Sequence, residues 1–128
     1  MKKTKPILAA QELEIMKIVW QLGEATVRDV YEEILRRRKI AYTTVMTMMG
    51  ILEQKHYLTK SESGSRAYLY KPAESERQVL GTMVQDFVKR VFGGSSQPLF
   101  VHLLESGGAT KEELDELSKL LKERRKKR

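Results

Sequence analysis

Thr43-Thr44-Val45-Met46-Thr47-Met48-Met49-Gly50-Ile51-Leu52-Glu53-Gln54-Lys55, residues 43–55, decides how the rest of the chain is read. On a helical wheel with Val45 at zero, Leu52, Met49, His56 and Met48 fall within about 60° of it and form an inner face. Thr43, Thr47, Gly50 and Gln54 fall on the opposite side, with Met46, Thr44 and Ile51 at the margins. A solvated helix face is ordinarily rich in Glu and Lys. This one is uncharged, small and rich in hydroxyls, which suits close approach to another surface. Met48 and Met49 are expected to fill the core, as adaptable thioethers do. Met46 either meets the approaching surface or merely covers the helix.

Working outward, Leu8, Leu13, Met16, Val19 and Trp20 recur at helical spacing and stop before Gly23, predicting a first helix from Ala10 to Leu22. Thr26 with Asp29 three residues on is a capping-box variant ahead of Val27, Val30, Tyr31, Ile34 and Leu35, a short second helix. Downstream, Tyr57–Glu62 and Arg66–Lys71 read as strands joined by Ser63-Gly64-Ser65 and closed by Pro72. The predicted class is therefore mainly α with a small β-hairpin. Three helices and a hairpin, with a basic third helix, is the order of a winged helix-turn-helix, whose third helix enters the major groove while the hairpin tip touches the backbone.

Residues 1–73 are assigned to that domain and 74–128 to a helical dimerisation region with a basic C-terminal tail. There, a helix is expected from Ser75 to Phe92, broken by Gly93-Gly94-Ser95-Ser96, then a short one from Pro98 to Glu105, and a last one begun by a Thr110/Glu113 capping box. Leu80, Met83, Val84, Phe87, Val91, Phe100, Leu103, Leu104, Leu114, Leu117 and Leu121 would leave a large apolar patch unless a second copy covered it. A homodimer with two-fold symmetry is expected through this part.

The formal charge of the 128 residues is +7, and its distribution is uneven. Met1 to Leu35 is close to neutral, whereas Arg36, Arg37, Arg38, Lys39, Lys55 and Lys60 face only Glu53. Such an internal basic segment beside helix signals is the electrostatic footprint of nucleic acid. The run Lys122 to Arg128 reads as a solvated, frayed end. There is no cysteine, which excludes disulfides, thiolate metal sites and cysteine nucleophiles and fits a reducing compartment. No window approaches a membrane span and the first ten residues lack a signal-peptide run, so the cytoplasm is the expected location. His56 and His102 are the only histidines and lie too far apart to suggest a zinc site, so both are read as structural. No metal, cofactor or catalytic grouping is expected, and the chain is not read as an enzyme. The rival reading is a winged helix used for protein contact, tethered by its tail to nucleic acid or an anionic surface.

Leu13-Glu14-Ile15-Met16-Lys17-Ile18-Val19-Trp20, Ala25-Thr26-Val27-Arg28-Asp29-Val30, Ala41-Tyr42-Thr43-Thr44-Val45-Met46-Thr47 and Arg66-Ala67-Tyr68-Leu69-Tyr70 followed by Pro72 together resemble the penicillinase-repressor (BlaI/MecI/CopY) family. The resemblance is densest over residues 8 to 72 and continues more weakly to the final helix. It implies a winged-helix homodimer that represses transcription from a palindromic, double-stranded operator with TACA-type half-sites. It further implies base readout by Thr43, Thr44, Met46, Thr47 and Gly50, and backbone contacts by Gln54, Lys55, Lys60 and Arg66, with Arg36 to Arg38 as weaker candidates. Threonine suits that role, since it hydrogen-bonds and places a methyl against a thymine methyl. The copper-responsive release mode requires cysteines and is absent. The other mode, cleavage in the C-terminal region under a transmembrane sensor protease, aligns with His102-Leu103, where relatives carry Asn-Phe. Two further departures are Ile51-Leu52 in place of arginine-leucine, and His56 in place of glycine after Lys55.

Overall fold

The computed structural model describes residues 6–126; Met1–Lys5, Lys127 and Arg128, and with them the end of the basic tail, lie outside the described residues. In chain order the elements are α1 (Ala10–Leu22), α2 (Val27–Leu35), α3 (Tyr42–Gln54), β1 (Leu58–Glu62), β2 (Tyr68–Pro72), α4 (Glu76–Phe92), α5 (Gln97–Glu105) and α6 (Lys111–Lys126). The chain divides into two compact units, one running to Met83 and the other beginning at Val84.

In the first unit, α1 begins where the Glu12 carboxylate accepts from the Ala9 N–H at 2.8 Å, and it stops at Gly23, whose φ of 85° suits only a residue without Cβ. Thr26 and Asp29 form the expected reciprocal cap on α2, with Asp29 N–H to Thr26 Oγ1 at 3.1 Å and Thr26 N–H to Asp29 Oδ2 at 2.9 Å. Ile15, Met16, Val19, Val30, Ile34, Val45, Met49 and Leu52 close the core between α1, α2 and α3. β1 and β2 pair antiparallel with Leu58 opposite Pro72, Lys60 opposite Tyr70 and Glu62 opposite Tyr68, and Leu58 and Tyr70 turn inward. Ala25 adds a one-residue third strand: it exchanges both backbone hydrogen bonds with Tyr70, at 2.8 and 2.9 Å.

Three expectations change here. His56 does not continue the inner face of α3. The helix ends at Gln54, with Lys55 as its cap, in a Schellman motif in which Tyr57 N–H reaches the Leu52 carbonyl at 2.9 Å, His56 N–H reaches the Glu53 carbonyl at 3.1 Å, and His56 takes a φ of 69°. The left-handed residue after a helix is the position glycine occupies best, so His56 holds this backbone conformation against the preference of a residue with a Cβ. The first turns of α4 belong to the first unit, so its boundary falls later than 73/74. Val79 is buried in the core, Trp20 Nε1 donates to the Glu74 carbonyl at 3.0 Å, and Lys17 pairs with Glu76 at 3.0 Å. Met83, expected to serve dimerisation, packs against this same core.

The second unit comprises the end of α4, α5 and α6. Gly93 and Gly94, both at positive φ, turn the chain after α4, and the Thr110/Glu113 box starts α6 with bonds of 2.9 and 3.1 Å. Phe92 lies edge-on to Phe87 at 5.9 Å between centroids and 5.7 Å from the His102 ring. Phe100, Leu103, Leu104, Leu117, Leu120 and Leu121 are exposed in the single chain, and no side chain of α5 or α6 is buried.

Candidate nucleic-acid interface

The outer face of α3 is built by what the inner face must do. Val45, Met49 and Leu52 are fully buried, and this rigid apolar seat fixes the roll of the helix. Thr43, Thr44, Met46, Thr47, Ile51 and Gln54 are thereby turned to solvent, and Gly50 is half-buried between them. Met46 is 47% exposed and Ile51 38%, so two apolar side chains border the threonines with nothing covering them. A methyl built on Gly50 meets no atom within 4 Å, so in the free protein the space above this backbone is open. Tyr42 opens α3 with its ring edge-on to Tyr31 of α2, 5.3 Å between centroids.

Cations flank this neutral face on the neighbouring segments. Before α3, Arg36 pairs with Glu33 at 3.3 Å and Arg38 with Glu14 at 2.6 Å, and the latter hydrogen bond holds the Arg38 guanidinium above its usual pKa. Arg37 and Lys39 are exposed and form no ion pair with the described residues. After α3, Lys60 on β1 lies 4.7 Å above the Tyr68 ring and 3.7 Å from Glu53. At the hairpin tip, the Ser63 hydroxyl donates to the Ala67 carbonyl at 2.7 Å. The Ser65 hydroxyl must therefore be the donor in its 2.8 Å bond to Ser63. This fixes the loop that presents Arg66, which is exposed. The Lys60–Tyr68 stack was not read from the sequence, because it depends on a diagonal across the strand register.

Lys55 stands apart from the other predicted backbone contacts. Its ammonium lies 2.9 Å from each oxygen of Glu12, the one buried charged side chain among the described residues. Nearby, Tyr57 Oη donates to the Pro6 carbonyl at 2.9 Å, and burial, with the Glu74 and Glu12 carboxylates, pushes its pKa up. The described residues contain no His, Cys, Asp and Glu cluster able to hold a metal, and no helix among them is long and apolar enough to cross a membrane.

The arrangement is an exposed, uncharged helix face bordered by cations, on a helix anchored by a three-helix core and followed by a β-hairpin. The family model described as penicillinase repressor matches residues 8–123, nearly the whole described chain. The chain belongs to the penicillinase repressor family. The penicillinase repressor of Bacillus licheniformis is 28% identical over 96% of this chain and 94% of its own length. The transcriptional regulator BlaI of Mycobacterium tuberculosis is 36% identical over 88% of this chain and 80% of its own. Among solved structures, the DNA-binding domain of the repressor BlaI superposes with a TM-score of 0.52 at 28% identity, covering 59% of this chain and 90% of that one. A mutant MarR from E. coli, solved with operator DNA, reaches 0.53 over 91% of this chain and 74% of its own, and at 14% identity it shows likeness of fold alone. Penicillinase repressors are transcriptional regulators and not enzymes. The winged-helix class read from the element order is the fold of this family member.

Proposed function

We propose that this DNA-binding transcriptional repressor acts as a homodimer on a two-fold-symmetric operator, one α3 entering the major groove of each half-site. The observation that carries the reading is the outer face of α3: exposed, uncharged and hydroxyl-rich in a protein of net charge +7. Thr43, Thr44, Met46 and Thr47 meet base edges, and Gly50 lets the backbone approach. Gln54, Lys60 and Arg66 meet phosphates, which set register without reading sequence. A structure of the monomeric B. licheniformis BlaI with the blaP half-operator superposes at a TM-score of 0.50 and supports one protomer per half-site.

The second unit supplies the dimer. Val84, Phe87, Val91, Phe100, Leu103, Leu104, Leu117 and Leu121 are apolar side chains left exposed to water, and half-buried Leu114 lies on one α6 stripe with Leu117 and Leu121. Leu80 in α4 is half-buried as well. Relief of repression is assigned to this unit too. A cut in α5, whose His102 and Leu103 are both exposed, separates α6 from α4 in the chain and removes its leucines from the interface. A transmembrane sensor protease is the proposed origin of that signal.

The test is selection of duplexes from a randomised pool at about 150 mM salt, where non-specific electrostatics has faded. Recovery of an inverted repeat, bound by a species of twice the chain mass in sedimentation, is the expected result. Recovery of no consensus would refute the reading and favour the protein-contact module.

A further inference from the structure

Glu12 and Lys55 stand 43 residues apart and meet in a partly buried site: Glu12 is 6% exposed and the Lys55 side chain is half-buried. Burying a carboxylate is unfavourable unless it is paired and fully hydrogen-bonded. Here it is, by Lys55 on both oxygens and by the Ala9 N–H on one. An apolar pair would fill the same volume without that cost, so the pair asks for a role beyond packing. Its position supplies one. Lys55 is the residue on which α3 ends, and Glu12 lies in the first turn of α1. The same end of α3 is tied a second time, by Tyr57 Oη to the carbonyl of Pro6 just ahead of α1. The opposite end has no side-chain cap at Ala41.

We infer that Glu12 is a positioning residue for the DNA-reading helix. Through Lys55 it anchors the last turn of α3 to the start of α1, and Lys55 acts on DNA by holding α3 and not by neutralising a phosphate. The inference rests on the proposed reading of α3 as the helix that faces bases. Glutamine at position 12 still accepts from the Ala9 N–H, so α1 keeps its cap while the charge pair is lost. Methionine at position 55 keeps the stem without the charge.

The experiment uses full-length Glu12→Gln, Lys55→Met, the double variant and Thr47→Ala. The probes are a duplex selected by the wild-type protein from a randomised pool and its scrambled counterpart, titrated from about 50 to about 200 mM salt. Glu12→Gln and Lys55→Met should each lower the ratio of selected to scrambled affinity about tenfold, and the double variant no further than either, as for two residues acting through one contact. The slope of log affinity against log salt should stay at the wild-type value. Loss of about 0.9 from that slope in Lys55→Met would make Lys55 a phosphate ligand and overturn the inference. An unchanged or raised ratio in Glu12→Gln would overturn it as well. Where a single variant does not melt cooperatively, the double variant, which leaves no charge unpaired, decides on the same two criteria. Thr47→Ala separates the failures. If it lowers the ratio while the Glu12 and Lys55 variants do not, only the positioning role falls; if it leaves the ratio unchanged, α3 is not the reader and the inference falls with it.

Discussion

Gly50→Ala should make the protein more stable and a weaker DNA binder at the same time. Gly50 lies in the interior of α3, where glycine costs about 0.5–1 kcal/mol relative to alanine because its backbone has more freedom to lose. An added Cβ meets nothing within 4 Å, so no clash offsets the gain. For a folding unit of this size, each kcal/mol moves the melting midpoint by about 4–8 °C, so the expected rise is about 2–8 °C. On DNA the same methyl stands between Met46 and Thr47, one turn before, and Gln54, one turn after. If the α3 backbone closes on base edges there, α3 is pushed outward and at least one base contact is lost, about 1–3 kcal/mol or roughly 5- to 150-fold. Circular-dichroism melting without DNA and fluorescence anisotropy on a selected duplex read the two effects separately. Gly81→Ala is the control: Gly81 is also helical with open space around it, and its substitution should raise the midpoint and leave selectivity alone. Equal affinity for DNA in Gly50→Ala and wild type would refute the close approach of α3.

Arg66→Ala should weaken binding alike on selected and scrambled duplexes and flatten the salt dependence by about 0.9, because a phosphate contact carries charge and no sequence information; a selective loss would make the wing a base reader. His56→Gly should raise the urea midpoint by the equivalent of about 0.5–1 kcal/mol, since φ of 69° strains any residue with a Cβ; a lower midpoint would mean that the His56 side chain is worth more than its backbone costs. Tyr57 has its pKa raised in the folded state by burial first and by Glu74 and Glu12 after it. Its contribution is therefore fully present below the unfolded value of about 10 and is lost as pH rises through the folded one. Alkaline titration of stability should show that loss in the wild type and not in Tyr57→Phe; identical profiles would assign it elsewhere.

What could be read from the chain was whatever a local rule controls. The Thr26/Asp29 and Thr110/Glu113 caps are four-residue patterns, and the wheel of residues 43–55 needs only the helical period, so these are legible in order. The wheel failed one residue past its domain of validity, at His56, because it assumes that the helix continues and has no way to express a left-handed cap. The Ala25–Tyr70 bridge leaves no trace, since a strand of one residue has no alternation. The boundary after Met83 is hidden for the opposite reason: α4 keeps one unbroken period through it. Charge counting found the basic segment but not its internal pairing. Glu33 and Glu14 engage Arg36 and Arg38, and Glu12 engages Lys55, partners 24 and 43 residues away for the last two. Which cations remain for DNA is a property of the folded arrangement and not of the composition.

The same distinction bears on how repression would be lifted. From Val84 to Lys126 the single chain buries no side chain, and a stretch of that length without a core of its own is not stable alone. On the proposed dimer, ordering this unit and associating with a second copy become one concentration-dependent equilibrium. Two DNA-reading units joined in that way occupy two half-sites with an affinity raised by about 10²–10⁴ over one alone, through effective concentration and with no new DNA contact. Loss of the apolar cover therefore removes those orders of magnitude without touching Thr43, Thr47 or Arg66. On the proposed reading, a signal that acts on the C-terminal unit needs no ligand pocket in the winged helix, and the proposed reading face of α3 is free to be shaped by the operator alone.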